Sequence, residues 1–220
     1  MSEKLKLAIF DCDGTLVDGQ HMIISSMKQA SEKCRIPYPG DEQVRRIVGL
    51  SLFEAITLIY PKISDNDHTM LHRAFVEHFQ YLRTLDDQHE PLYDGIREVI
   101  SELHNKGILL GIATGKSLRG LRSTLSNHNL QDYFVTLNTA DDGPGKPHPS
   151  MINEALADTG VDPENAVMIG DTTYDMVMAA NAGVRSIGVS WGYHSREELI
   201  SSGADHIVDK ILELSDLIKG

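Results

Sequence analysis

The chain has 220 residues, 41% of them hydrophobic and 24% charged, which suits one domain or a core domain with a small insertion. A net charge of −12 argues against nucleic acid as a partner, because binding a phosphate backbone needs a basic face; no apolar run approaches the roughly 18 residues of a membrane span. An anionic small molecule stays compatible if a metal, a lysine or oriented N–H groups supply a local positive field.

The N-terminus carries no cleavage-site pattern, so no secretory signal is expected. Cys12 and Cys34 form neither a disulfide framework nor a metal cluster, which predicts a reducing, cytoplasmic setting. Leu5–Phe10 reads as the first strand. From about Gln20 to Asp87 the signals are helical: Ile23, Met27, Ala30 and Cys34 share one face, Leu52, Ile56 and Ile59 a second, and Leu71, Phe75, Phe79 and Leu82 a third. Ile96, Val99, Ile100 and Leu103 keep helical spacing, with Asp94 placed as an N-cap and Gly107 after the end. Strands follow at Ile108–Ala113, Phe134–Leu137, Ala166–Ile169 and Ser186–Val189, with a short sixth at His206–Val208. Helical faces lie between them at Leu118, Leu121 and Leu125, and at Met176, Val177 and Ala180.

Alternating strands and helices predict an α/β fold with a Rossmann-like parallel sheet. Residues 1–19 and 88–220 form the expected core, and 20–87 an inserted helical subdomain; the alternative is a long helical crossover packed on the sheet. The apolar faces at 23–34 and 71–82 fit a cap core or a contact surface equally, so the sequence leaves the oligomeric state open.

Four segments carry chemistry. Asp11 and Asp13 follow the first strand two residues apart, so they share a face if the strand continues, and their repulsion calls for a cation such as Mg²⁺. The plainer alternative is a polar Asp-Gly turn. Thr114-Gly115-Lys116 offers a hydroxyl, a glycine and a helix N-terminus to a phosphate oxygen, or else is an ordinary βα turn. Lys146 stands in Gly145-Lys146-Pro147-His148-Pro149, where it meets a phosphate or screens two carboxylates, or else is an exposed loop lysine; His148 reads as a loop residue. Asp171 ends the strand Ala166–Ile169 after Gly170, and Asp175 lies one helical turn on, where Thr172-x-x-Asp175 also fits a capping box. In a parallel sheet the strand C-termini share one edge, and Asp11, Asp13, Thr114 and Asp171 converge there.

These four segments, in this order, resemble the haloacid dehalogenase superfamily over the whole chain, with residues 20–87 similar to its α-helical cap. Within the superfamily, Gly145-Lys146-Pro147-His148-Pro149, Gly170-Asp171-Thr172 and Trp191-Gly192-Tyr193 are most similar to phosphoglycolate phosphatases. The resemblance implies a Mg²⁺-dependent phosphatase acting on a small phosphorylated metabolite. Asp11 is then the nucleophile and becomes an aspartyl phosphate, while Asp13 protonates the leaving alcohol and activates water. Thr114 and Gly115 hold phosphoryl oxygens, and Lys146 steadies Asp11. Asp11, the carbonyl of Asp13 and Asp171 hold the metal, with Asp175 in support. The resemblance further implies that Arg45 or Arg46 meets a second anionic group, unless both are solvated helix charges. Trp191 and Tyr193 border the site or serve packing. Asp13 disfavours a dehalogenase or a phosphonatase. A sugar phosphomutase, a nucleotidase or pyrophosphatase, and a non-catalytic binding protein are the competing readings. Gly19 stands where similar sequences often carry serine.

Overall fold

The computed structural model describes residues 5–85 and 90–218. Its frame is a parallel sheet ordered β3-β2-β1-β4-β5-β6: β1 (Leu7–Phe10), β2 (Leu109–Thr114), β3 (Phe134–Thr139), β4 (Ala166–Gly170), β5 (Arg185–Val189) and β6 (His206–Val208). β1 is central and its four residues are almost wholly buried; Leu7 pairs with Leu109 on one side and with Ala166 on the other. Such two-sided burial explains why these strands read as apolar runs without alternation.

Successive β1 side chains feed opposite faces. Ala8 and Phe10 pack with Val99, Ile100 and Leu103 of α5 (Ile96–Asn105) and with Leu121 and Leu125 of α6 (Leu118–Asn127). Leu7 and Ile9 pack with Met151, Ile152 and Ala155 of α7 (Ser150–Thr159) and with Met178 and Ala179 of α8 (Thr173–Ala182). Two sequence expectations are corrected here. The α5 N-cap is Gly95, at φ 81°, and not Asp94. Helix α8 buries Met176, Met178 and Ala179, while Val177 and Ala180 lie exposed, because the helix meets the sheet through positions three apart from Asp175 and Met176.

Between β1 and α5 stand α1 (Gln20–Cys34), α2 (Asp41–Arg46), α3 (Leu52–Ile59) and α4 (Asp65–Leu82). They bury their own cluster, with Met27, Ala30, Val44, Ile56, Leu71 and Phe75 at its centre. The three predicted faces meet there, and α2 adds Val44 from a stretch with no separate helical signal. Ser51 and Ser64 cap α3 and α4, each side chain accepting from a backbone N–H three residues on. The chain leaves and re-enters the core side by side: Asp18 N donates to Pro91 O and Tyr93 N to Leu16 O. The predicted boundary at 87/88 lies outside the described residues. No helix among the described residues is long and apolar enough to cross a membrane.

Candidate active site

The winding reverses between β1 and β4, and open α/β sheets bind ligands at such a crevice beyond the strand C-termini. Asp11 follows β1 there and Asp171 follows β4. Asp11 Oδ1 accepts from Cys12 N (2.6 Å) and faces Lys146 Nζ (2.8 Å); its Oδ2 is buried without a hydrogen-bond partner. Asp171 accepts from Thr15 Oγ1 (2.8 Å) and Tyr193 N (2.9 Å). Asp175 does two jobs. Its Oδ2 closes the capping box on Thr172, while its Oδ1 lies 2.7 Å from Lys146 Nζ. Both sequence alternatives for this residue are therefore present in one carboxylate.

Glycines make this crowding possible. A Cβ on Gly14, which sits at φ 82°, would stand 2.2 Å from Asp171 Oδ2, and one on Gly170 would stand 2.3 Å from Asp175 Cγ. Oxygens of Asp11, Asp171 and Asp175 lie within 4.8 Å of one another. Three buried carboxylates against one buried ammonium leave an excess of two negative charges. Burial raises the Asp11 carboxyl to about 7 against the opposing pull of Lys146, and burial with the neighbouring Asp11 and Asp175 raises Asp171 well above the carboxylate range. Lys146 is itself raised, because Asp11 and Asp175 outweigh its burial. The unpartnered Asp11 oxygen and the charge excess both fit a divalent cation held by oxygen ligands.

Asp13 is handled differently from Asp11. Its Oδ1 lies 2.9 Å from Lys116 Nζ, outside the three-carboxylate cluster. Thr114 ends β2, 1% exposed, and its Oγ1 accepts from Lys116 N. Above these residues a cavity of about 620 Å³ separates the helical insert from the sheet edge. Asp11, Asp13, Thr114 and Gly115 line its floor; Met27, Phe75 and Phe79 line the opposite wall.

Arg45 and Arg46 do not line this cavity. Arg45 borders a second, more open cavity of about 530 Å³ and donates to Gln20, while Arg46 pairs with Glu198 on the surface. Residues 47–51 line it instead, with the Gly49 and Leu50 carbonyls packed against Gly115. Trp191 packs on the core and donates to Thr15 O; Tyr193 touches Asp171 through its backbone. His148 stays in its loop, bonded to Ser150. Sequence reasoning missed Arg83 and Glu90, which carry no strand-end signal; an acidic residue next to Pro91 in a connecting segment was the only hint.

The family model for haloacid dehalogenase-like hydrolases matches residues 8–189. The chain belongs to that family. This haloacid dehalogenase-like hydrolase is 29% identical over 225 residues to the phosphoglycolate phosphatase of Vibrio vulnificus (strain CMCP6), covering 98% of this chain and 97% of the relative. It is 29% identical over 221 residues to pyrophosphatase PpaX of Bacillus pumilus (strain SAFR-032), covering 97% and 96%. Among solved structures it is similar to a predicted phosphatase from Clostridium acetobutylicum, at 27% identity, 99% coverage of both chains and a TM-score of 0.87. The present haloacid dehalogenase-like hydrolase is a phosphatase.

Proposed function

We propose that this phosphatase is Mg²⁺-dependent and hydrolyses a small phosphomonoester through an aspartyl phosphate on Asp11. The observation that carries the reading is the meeting of Asp11, Asp171, Asp175 and Lys146 beside Asp13 and Thr114 at one sheet edge. Asp11 and Asp171, with the Asp13 carbonyl, would hold Mg²⁺, which supplies charge neutralisation for the phosphoryl oxygens. Asp11 Oδ2 attacks phosphorus as the P–O bond to the leaving group breaks, and Asp13 gives that oxygen its proton. Asp13 then takes a proton from the water that cleaves the acyl phosphate. Lys146 keeps Asp11 ionised, and Thr114 Oγ1 and Gly115 N hold phosphoryl oxygens. The insert acts as a lid that excludes water.

Phosphoglycolate and pyrophosphate are the substrates that the two relatives' names suggest, and Arg119, on the cavity wall, is suited to their second anionic group. Phosphate release from a panel of phosphoglycolate, sugar phosphates, nucleotides and pyrophosphate tests this. Mg²⁺-dependent cleavage of one phosphomonoester, abolished by EDTA, supports the reading, and cleavage of pyrophosphate alone contradicts its substrate class. Equal turnover in EDTA contradicts the reading.

A further inference from the structure

Asp13 is the end of a buried chain of alternating charges. Lys116 Nζ lies 2.9 Å from Asp13 Oδ1 and 2.6 Å from Glu90 Oε1. Glu90 Oε2 then accepts from Arg83 Nη2 (2.6 Å) and Nε (3.2 Å), and from Thr124 Oγ1 (3.3 Å). The four side chains are 12%, 8%, 5% and 18% exposed in the order Asp13, Lys116, Glu90, Arg83, and their charges sum to zero. The Glu90 carbonyl is also fixed, accepting from His128 Nε2 at 2.7 Å.

The chain joins two parts of the molecule. Arg83 is the C-cap of α4, in the helical insert, and the Phe79 ring of that helix lies under both cations, 5.0 Å from Arg83 Cζ and 5.5 Å from Lys116 Nζ. Arg83 also donates to Gly120 O and Thr124 Oγ1 of α6, in the core. Lys116 is therefore not a free cation waiting for substrate: two protein carboxylates already take its ammonium. Gly19 belongs to the same arrangement. A Cβ there would stand 3.2 Å from both Asp13 Oδ1 and Glu90 Oε1, so the bare glycine leaves these oxygens room to face Lys116.

We propose that Glu90 and Lys116 are positioning residues for Asp13, and that Arg83 couples the position they set to helix α4. Asp13 Oδ1 is held, which leaves its other oxygen to exchange the proton with the leaving group. Movement of α4 away from the core draws Arg83 off Glu90, loosens Lys116 and takes Asp13 out of register. The inference rests on the proton-donor reading of Asp13 given above.

The test separates leaving groups. p-Nitrophenolate departs without a proton, whereas an alkoxide needs one. Steady-state kcat/KM, which reads the steps up to leaving-group departure and not the water attack that both substrates share, is compared with Mg²⁺ for p-nitrophenyl phosphate and for the best alkyl phosphomonoester of the panel, together with KM. Asp13→Asn must lose about 100-fold or more in kcat/KM on the alkyl substrate and far less on the aryl one. Glu90→Gln is expected to lose about tenfold or more on the alkyl substrate alone, with KM within about twofold. Arg83→Met is expected to show the same selectivity with a smaller loss, and it serves if Glu90→Gln does not fold; Lys116→Arg should restore part of what Lys116→Met loses. If Asp13→Asn is selective but Glu90→Gln and Arg83→Met are not, the positioning role is overturned alone. If Asp13→Asn shows no selectivity, the proton-donor reading falls and the inference with it.

Discussion

Asp11, Asp13, Asp175 and Glu90 are each held by a partner of opposite sign, whereas Asp171 meets only a hydroxyl and a backbone N–H, and these settings have different consequences for pH. Burial alone would raise the Glu90 carboxyl, but Lys116 and Arg83 overcome it and hold it at about 2, below its ordinary 4.5. A carboxyl that is more acidic folded than unfolded adds stability above pH 4.5, and that stability is lost as pH falls toward 2. Glu90→Gln should therefore flatten the acid limb of a stability curve, an effect on the order of a few kcal/mol read from urea midpoints between pH 5 and 3. An unchanged limb would mean that Glu90 is not ionised against two cations. At this scale the sequence was informative wherever a residue stands at a strand end: Asp11, Asp13, Thr114 and Asp171 are where strand-following residues must converge. It was silent on Glu90 and Arg83, because ion pairs between residues distant in sequence leave no local pattern. Arg45 and Arg46 looked suited to an anion, yet Gln20 and Glu198 take them away from the cavity.

Among the elements, the loop that follows α2 lies against the turn at Gly115. A Cβ on Gly115 would stand 2.3 Å from Leu50 O and 2.7 Å from Gly49 O, so only glycine lets this loop sit on the turn that follows β2. Two further contacts tie the same segment down: Tyr174 Oη and His194 Nε2 both bond Arg46 O. Gly115→Ala should push the loop back without disturbing the sheet. The expected outcome is a loss of about tenfold in kcat/KM with the thermal midpoint little changed. A fully active Gly115→Ala enzyme would show that the loop need not close here. Strand positions were readable from apolar runs, and β6 was placed without error. Strand ends and caps were less so, since Gly95 caps α5 through a left-handed backbone that has no side-chain signature, while Asp94 offers a cap that the helix does not use.

At the scale of the whole molecule, an excess of buried carboxylates stands where the two halves of the sheet meet. Asp11 and Asp171 are raised above their ordinary 3.8 in the folded protein, so without metal the fold binds their protons more tightly than the unfolded chain does. In EDTA, stability should fall as pH rises from about 4 through 7. Mg²⁺ at about 100 times its Kd should return about 2.7 kcal/mol near pH 7.5, which corresponds to a rise of several degrees in Tm. Calorimetry in Mg²⁺ and in EDTA checks this, and a Tm indifferent to Mg²⁺ would contradict a metal held by these carboxylates. The helical character of residues 20–82 was legible because roughly 68 residues of helical spacing interrupt an otherwise regular alternation. How the insert is fastened was not, because Arg83, Glu90 and the residue 47–51 backbone act across the fold.

In the proposed reaction the phosphoryl group passes through Asp11. The most direct measurement is an acid-quenched single turnover with phosphate-labelled substrate and Mg²⁺, followed by mapping of the labelled peptide in the wild type and in Asp11→Asn. Transient label is expected on the peptide at Asp11, absent in EDTA and in the variant, whose kcat falls by more than about 10³-fold. Phosphate release that continues in Asp11→Asn, or label carried by another residue, would contradict it.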